Sequence, residues 1–261
     1  MAIEMKSLFG GKVKYFFTGV SYGDCRPPTL QCPVSDNTAR LVQLADHLGA
    51  NEVFIPTPGA THCVVGTNDH GLYMFGSRII RTRDQADAMV VGSLDCAVGI
   101  TPADCHVVVI IDPTSLKWAL VHIGHGGLIP QGGSPSILHQ VVREMDVPVP
   151  KLQAHIFAGI RNCCNGYCAG NSQLISIKSA YPGLLNGKVV SKGPRMGQVA
   201  VDNLLIAQTD LSRLGLPTKA VTFDQTCTAC ALRKDREFQY FSNVRSAGAP
   251  ERNCVMVRRI C

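Results

Sequence analysis

No apolar run in this chain reaches the ~18 residues of a membrane span, so no membrane association is expected. Lysine and arginine never occur in runs longer than two. The concentrated basic face that nucleic-acid binding requires is missing from the pattern, and no nucleic-acid partner is expected. The opening segment "MAIEMKSLFGGKVKYFF" lacks an apolar stretch followed by a cleavage site, so it does not read as a signal peptide. A cytoplasmic protein with reduced thiols is therefore expected. Internal repeats, low-complexity tracts, long linkers and the Walker phosphate-binding pattern are all missing as well.

What is present is an ordinary globular composition. A chain of 261 residues can bury a sizeable core without disulfide staples. A hydrophobic share of 46% against 17% charged belongs to a folded protein rather than a disordered one. The net charge of +6 gives a mild bias toward anionic ligands. Twelve cysteines is a high count. In a reducing compartment most of them are small buried hydrophobes, and only a few do chemistry.

Four segments carry helix signals. "SDNTARLVQLADHLG" has Ser35 or Asp36 as cap, Leu41, Leu44, Ala45 and Leu48 on one face, and Gly49 as the stop. "SPSILHQVVREM" has Ser134 as cap and Pro135 at the first helical position. A weaker helix is expected near residues 171–181, and "DNLLIAQTDLSRLG" is capped by Asp202 and stopped by Gly215. Short β-branched or apolar runs predict strands at about 12–18, 52–56, 63–66, 72–75, 88–92, 96–100, 106–112, 117–123, 153–158, 219–223 and 254–258. A mostly β middle bracketed by helices reads as one α/β or α+β domain over residues 1–261, with helices packed over sheets.

The stretch from Thr101 to Gly127, "TPADCHVVVIIDPTSLKWALVHIGHGG", frames a turn with a thiol and an imidazole. A tight turn centred on Pro113–Thr114 would make Cys105 and His122 cross-strand neighbours, with Cβ atoms roughly 5 Å apart. That separation suits a shared metal and equally a Cys–His nucleophile pair. A one-residue slip would instead set His106 opposite His122. In the expected register His106 points to the other face of its strand. The bland alternative is a buried thiol beside a satisfied histidine. Against it, "TPAD" before Cys105 and the glycine-rich "GHGGLIPQGG" after His122 are not core-filling sequence. Asp87 and Asp104, at strand ends, are candidates to orient a ligand histidine. "CTAC" (Cys227 to Cys230) has zinc-ribbon or redox spacing, but "CCNGYC" lacks the spacing of a second such pair, which argues against a second metal site.

These residues, in this order, resemble the YfiH-like or laccase-domain family of purine nucleoside phosphorylases. The resemblance rests on "ADAMVV" (Ala86 to Val91), "PADCHVVVIID" (Pro102 to Asp112) and "HIGHGG" (His122 to Gly127), with "ATHCVV" (Ala60 to Val65) and "TGVS" (Thr18 to Ser21) upstream. Near the end it rests on Cys227–Thr228, "YFSNVR" (Tyr240 to Arg245) and Arg252, and it covers nearly the whole chain. It implies a four-layer α/β/β/α sandwich. It also implies a metal, zinc with copper as the alternative, held by His62, Cys105 and His122, which double as the catalytic residues. His70 competes with His62 for that role. The implied activity is phosphorolysis of adenosine, inosine, guanosine or methylthioadenosine, with adenosine deamination as a companion. Its partners are then a purine nucleoside and phosphate.

Several positions depart from the family pattern. His125–Gly126 stand where the family has Trp–Arg, Phe16 where it has an early arginine, and Gln31 where it has an asparagine. "AGIRN" (Ala158 to Asn162) replaces a glycine-proline turn, and Arg161 is the candidate replacement cation. Arg161, Arg245 and His125 are therefore the expected substrate-binding residues. The lost arginines also motivate a nucleoside- or partner-binding protein without turnover, and Cys105–His122 a metal-free hydrolase. A copper polyphenol oxidase is the weakest reading, because one His–Cys–His set lacks the several coppers that oxygen reduction needs.

Overall fold

A computed structural model describes residues 4–26, 36–59, 62–66, 71–75, 78–92, 94–130, 135–184, 189, 191–192, 195–248 and 250–261. In chain order the strands are β1 (Lys6–Leu8), β2 (Val13–Phe17), β3 (Glu52–Thr57), β4 (Val64–Val65), β5 (Gly71–Phe75), β6 (Arg78–Asp84), β7 (Ala88–Val91) and β8 (Cys96–Ile100). They continue with β9 (His106–Ile111), β10 (Trp118–Ile123), β11 (Gln153–Ile156), β12 (Gly166–Tyr167), β13 (Val199–Ala200), β14 (Val221–Phe223) and β15 (Val255–Arg259). The helices are α1 (Asp36–Leu48), α2 (His125–Leu128), α3 (Ile137–Met145), α4 (Ser172–Ala180) and α5 (Asn203–Arg213).

Two mixed sheets stack face to face. One runs β1-β2-β15-β8-β3-β6-β5 and the other β14-β11-β9-β10-β7-β4. Strand alternation sorts the apolar residues into three layers of core. Val13, Tyr15, Phe54, Val98 and Val257 from the first sheet meet Val107, Val109, Ile111, Trp118 and Leu120 from the second. On the outer face of the first sheet, Phe16, Val53, Ile55 and Met256 pack against Leu41, Leu44, Ala45 and Leu48 of α1. On the outer face of the second, Val108, Ile110, Ala119, Val121 and Ile123 pack against α3, α4 and α5. The order is helix, sheet, sheet, helices, as the four-layer sandwich requires. Every residue of β9 is buried, because both faces of its sheet are covered.

All eleven expected strand runs are strands, and the helix faces are those the periodicity predicts. Gly49 and Gly215 end α1 and α5 with φ of 70° and 96°. Asn171 caps α4 through the amides of Gln173 and Leu174, and Asp202 caps α5 through Leu205. Helix α3 starts later than expected: Ser136 is its cap and Pro135 precedes it. The expected roles of Gln31, Ser35, Ala60, Thr61, His70 and Ser134 lie outside the described residues.

The hairpin register also differs. His122 pairs with Val107 and Ile123 with His106, a shift of two residues from the tight-turn expectation. The loop is longer than two residues: Asp112 accepts the amide and hydroxyl of Thr114, and the Asp112 amide reaches Lys117 O at 3.0 Å. A two-residue shift preserves the face, so Cys105 and His122 remain on one side as diagonal neighbours. His106 points the other way, as expected. Its Nδ1 lies 2.8 Å from Phe157 O, and burial holds its pKa below the usual histidine value. A Cβ on Gly159 would stand 2.6 Å from that ring. Gly159→Ala is therefore expected to destabilise the protein by about 1–3 kcal/mol in urea unfolding, with an unchanged m-value.

Candidate active site

Four strands of the second sheet end together. Ala88 pairs with both Val64 and Val121, and Val121 with Val108. This order sets His62, Asp87 and Cys105 just before the starts of β4, β7 and β9, beside His122 near the end of β10. Backbone bonds tie the ends to one another: Asp87 N donates to Cys63 O at 2.9 Å and His122 N to Asp87 O at 2.7 Å.

The Cys105 thiol stands beside the His122 ring, and the His122 Nδ1 lies 3.2 Å from Asp87 Oδ1. Asp87 is buried, so it orients the imidazole as anticipated. Burial alone would suppress the charge on His122. The Cys105 and Asp87 charges outweigh it and push its pKa up to about 9. The backbone comes in close where Gly124 lacks a side chain: a Cβ there would stand 3.4 Å from the Cys105 sulfur and 3.3 Å from the His122 ring. His62 is buried, has a left-handed φ of 58°, and turns Nε2 to within 2.7 Å of Gly126 O. Such a backbone angle costs free energy in a non-glycine residue, and it persists only where surrounding contacts hold it. Asp104, the other candidate, orients no histidine; its two oxygens accept from the Thr228 hydroxyl at 3.0 Å and the Val244 amide at 2.7 Å.

Cys105 and His122 line a cavity of about 540 Å³, within the usual size of small-ligand sites. His125 lines it too, edge-on to Tyr167 at 5.7 Å between centroids. Burial, then the nearby Arg195 and His122 cations, hold the His125 pKa below its ordinary value, so it is a neutral imidazole at pH 7. The cations of the wall are Arg26, Arg195 and Arg252. Asn203, also in the wall, is 4% exposed, and its Oδ1 has no partner among the described residues. An unpartnered buried acceptor is costly unless a ligand satisfies it.

Two expected substrate residues stand elsewhere. Arg161 forks onto Asp202 at 3.3 and 3.1 Å and reaches Gln225 O. Arg245 donates to the carbonyls of Thr228, Ala229 and Tyr240 and lies 3.8 Å over the Phe238 ring. Neither lines the cavity. Arg26, Arg195 and Asn203 escaped the sequence reading because loops and a helix start carry no periodic signal.

Among the described residues, the tightest set of soft metal ligands is a different one. Cys163, Cys164, Cys227 and Cys230 have sulfurs all within 4.8 Å of one another. This corrects the expectation drawn from spacing: Cys163 and Cys164 supply the second pair without a ribbon motif.

A family profile described as multi-copper polyphenol oxidoreductase laccase matches residues 18–259. The chain belongs to this family. Its fold is shared by three solved structures. The Bacillus licheniformis hypothetical protein YfiH superposes with a TM-score of 0.75 at 17% identity, covering 99% of this chain and 97% of that one. The Neisseria meningitidis protein NMB0706 gives 0.71 at 18%, covering 100% and 99%. YlmD from Geobacillus stearothermophilus gives 0.68 at 17%, covering 95% and 91%. At such identities the likeness establishes the fold. No functionally curated protein matches the chain.

Asp87→Asn removes the charge that supports protonated His122. In the metal-free protein the His122 pKa is expected to fall below about 9, read from the imidazole resonances in an NMR titration. A pKa unmoved by the substitution would show that Asp87 does not govern the ring.

Proposed function

We propose that this chain is a metal-dependent purine nucleoside phosphorylase, with adenosine deamination as a companion activity. One observation carries the reading: Cys105 and the Asp87-oriented His122 share a cavity whose wall offers arginines for an anion and the unpartnered Asn203 Oδ1 for a nucleobase N–H. The donor types suit zinc, although His62, Cys105 and His122 are not gathered into one ligand cluster. A thiolate and a carboxylate-backed imidazole are soft and borderline ligands. His62, which lies outside the cavity wall with Nε2 held at the Gly126 carbonyl, would have to leave that carbonyl and move toward Cys105 and His122 to become the third. Three protein ligands leave a coordination position for substrate. The chemistry such a metal supplies when bound is Lewis-acid polarisation of an oxygen ligand.

The chain's own groups do the rest. Arg195, at the cavity wall beside Tyr167, binds phosphate. Asn203 Oδ1 accepts from the purine. Neutral His125 takes or gives a proton at its ring nitrogen. Arg161 and Arg245 are positioning residues for the loops behind the wall. Copper remains the alternative occupant, since two imidazoles and a thiolate also suit it.

A second reading is favoured by the raised His122 pKa. Without metal, Cys105 stands beside His122 with the Asp87 carboxylate behind the ring, the layout of a cysteine hydrolase. Metal stripping separates the two: base release that needs both zinc and phosphate supports the phosphorylase, and hydrolysis that survives stripping supports the hydrolase. Cys105→Ala is expected to abolish metal binding at this site and activity together. Arg195→Ala is expected to raise KM for phosphate roughly 10–100-fold, the worth of a charge-assisted hydrogen bond. Full metal with no base released from any purine nucleoside would favour a binding protein without turnover.

A further inference from the structure

We propose that Cys163, Cys164, Cys227 and Cys230 form a second, structural zinc site that staples the C-terminal loop to the wall of the cavity. The Cys163 and Cys230 sulfurs are 3.7 Å apart, and all four lie within 4.8 Å of one another. A tetrahedral zinc with Zn–S near 2.3 Å needs sulfur–sulfur edges of about 3.8 Å. One pair already has that spacing, and the widest closes by about 1 Å. The described cysteines are all free, so no disulfide competes for these sulfurs.

The backbone holds the four in place without metal. Gly159 bridges to Cys227 in parallel, and Thr228 N donates to Gly159 O at 3.1 Å. A turn closed by Arg161 O, which accepts from Cys164 N and Asn165 N at 2.9 Å each, presents the adjacent pair. Ala231 N to Cys227 O at 3.0 Å closes the turn that presents the other pair. The Arg161 amide donates to the Cys227 sulfur at 3.4 Å. An amide donor on the sulfur suits a thiolate ligand, since a neutral thiol is a weak acceptor.

Charge and surroundings agree. Four thiolates around a divalent ion leave two net negative charges, and Arg245 is close enough to interact with Cys164, Cys227 and Cys230. That gives this arginine a partner other than substrate. Ile160, Ala229 and Val244 pack around the sulfurs. Ile160 and Val244 also line the cavity, and Thr228, between Cys227 and Ala229, holds Asp104 next to Cys105. Zinc here would fix both sides of that wall.

The test isolates the quartet from the first site. The full chain carrying Cys105→Ala is stripped of metal under reducing conditions and titrated with cobalt(II). One equivalent is expected to bind, with thiolate-to-cobalt charge-transfer intensity for four sulfurs, and zinc is expected to displace it. Cys230→Ser in the same background should lower that intensity and weaken binding by roughly 100-fold or more, beyond the loss of a supporting contact. No cobalt bound, or a spectrum with two sulfurs or fewer, would overturn the proposal. So would an iron–sulfur chromophore in freshly purified wild type, or a Cys163–Cys230 disulfide in anaerobically prepared protein. None of these outcomes depends on whether the His62, Cys105 and His122 site carries metal or turns over nucleosides.

Discussion

The pairing of β9 with β10 is the constraint on which the cavity depends. Both strands are apolar on both sides because helices cover one face of their sheet and the other sheet covers the second. Val107, Val109 and Ile111 face the inter-sheet layer with Trp118 and Leu120. Cys105 and His122 continue those two rows past the last apolar residue, where the layer opens to the cavity. A slip of one residue would turn one of them into the helix layer and destroy the site along with the core. The loop that sets the register is itself clamped: Arg259, 2% exposed, donates to the carbonyls of Asp112 and Lys117 at 2.8 and 3.0 Å. Because Arg259 belongs to β15 in the first sheet, the hairpin register is tied to the packing of one sheet on the other.

The periodic parts of this architecture were legible in the residues. Short β-branched runs located eleven strands, and the spacing of Leu41, Leu44, Ala45 and Leu48 located the face of α1. Strand β6, "RIIRTRD", was not legible. Its arginines break the apolar pattern, and it is held by parallel pairing to β3 and antiparallel pairing to β5 rather than by its own composition. The hairpin face was readable because parity survives a two-residue error, whereas the register was not, since Asp112 builds a longer loop than Pro113 suggests. Asp87 was readable as an orienting carboxylate from its place at a strand start. The arginines of the wall come from loops whose positions follow from tertiary packing alone.

The arginines divide by what the local backbone needs. Arg245 meets three loop carbonyls at once, and Arg161 is committed to the Asp202 carboxylate and the Gln225 carbonyl. Arg195 has one such bond, to Gly166 O at 3.2 Å, and leans over Tyr167. An arginine so lightly committed has donors to spare for an anion, and its place in the cavity wall gives them somewhere to point. Position along the chain therefore says less about a phosphate-binding role than the carbonyl and carboxylate acceptors each guanidinium already serves.

The two sulfur sites are mechanically linked through a short chain of bonds. Cys105 follows Asp104, whose carboxylate accepts from the Thr228 hydroxyl and the Val244 amide. Thr228 sits inside the Cys227–Cys230 turn, and Ile160 N reaches back to Asp104 O at 2.6 Å. The position of Cys105 thus depends on the 227–230 turn and the 159–165 segment staying in register with each other. Asp104 is 7% exposed, so loss of either partner would leave a carboxylate oxygen poorly satisfied beside the Cys105 thiol. A carboxylate read from sequence as a histidine orienter is instead the joint between the cavity floor and the C-terminal loop.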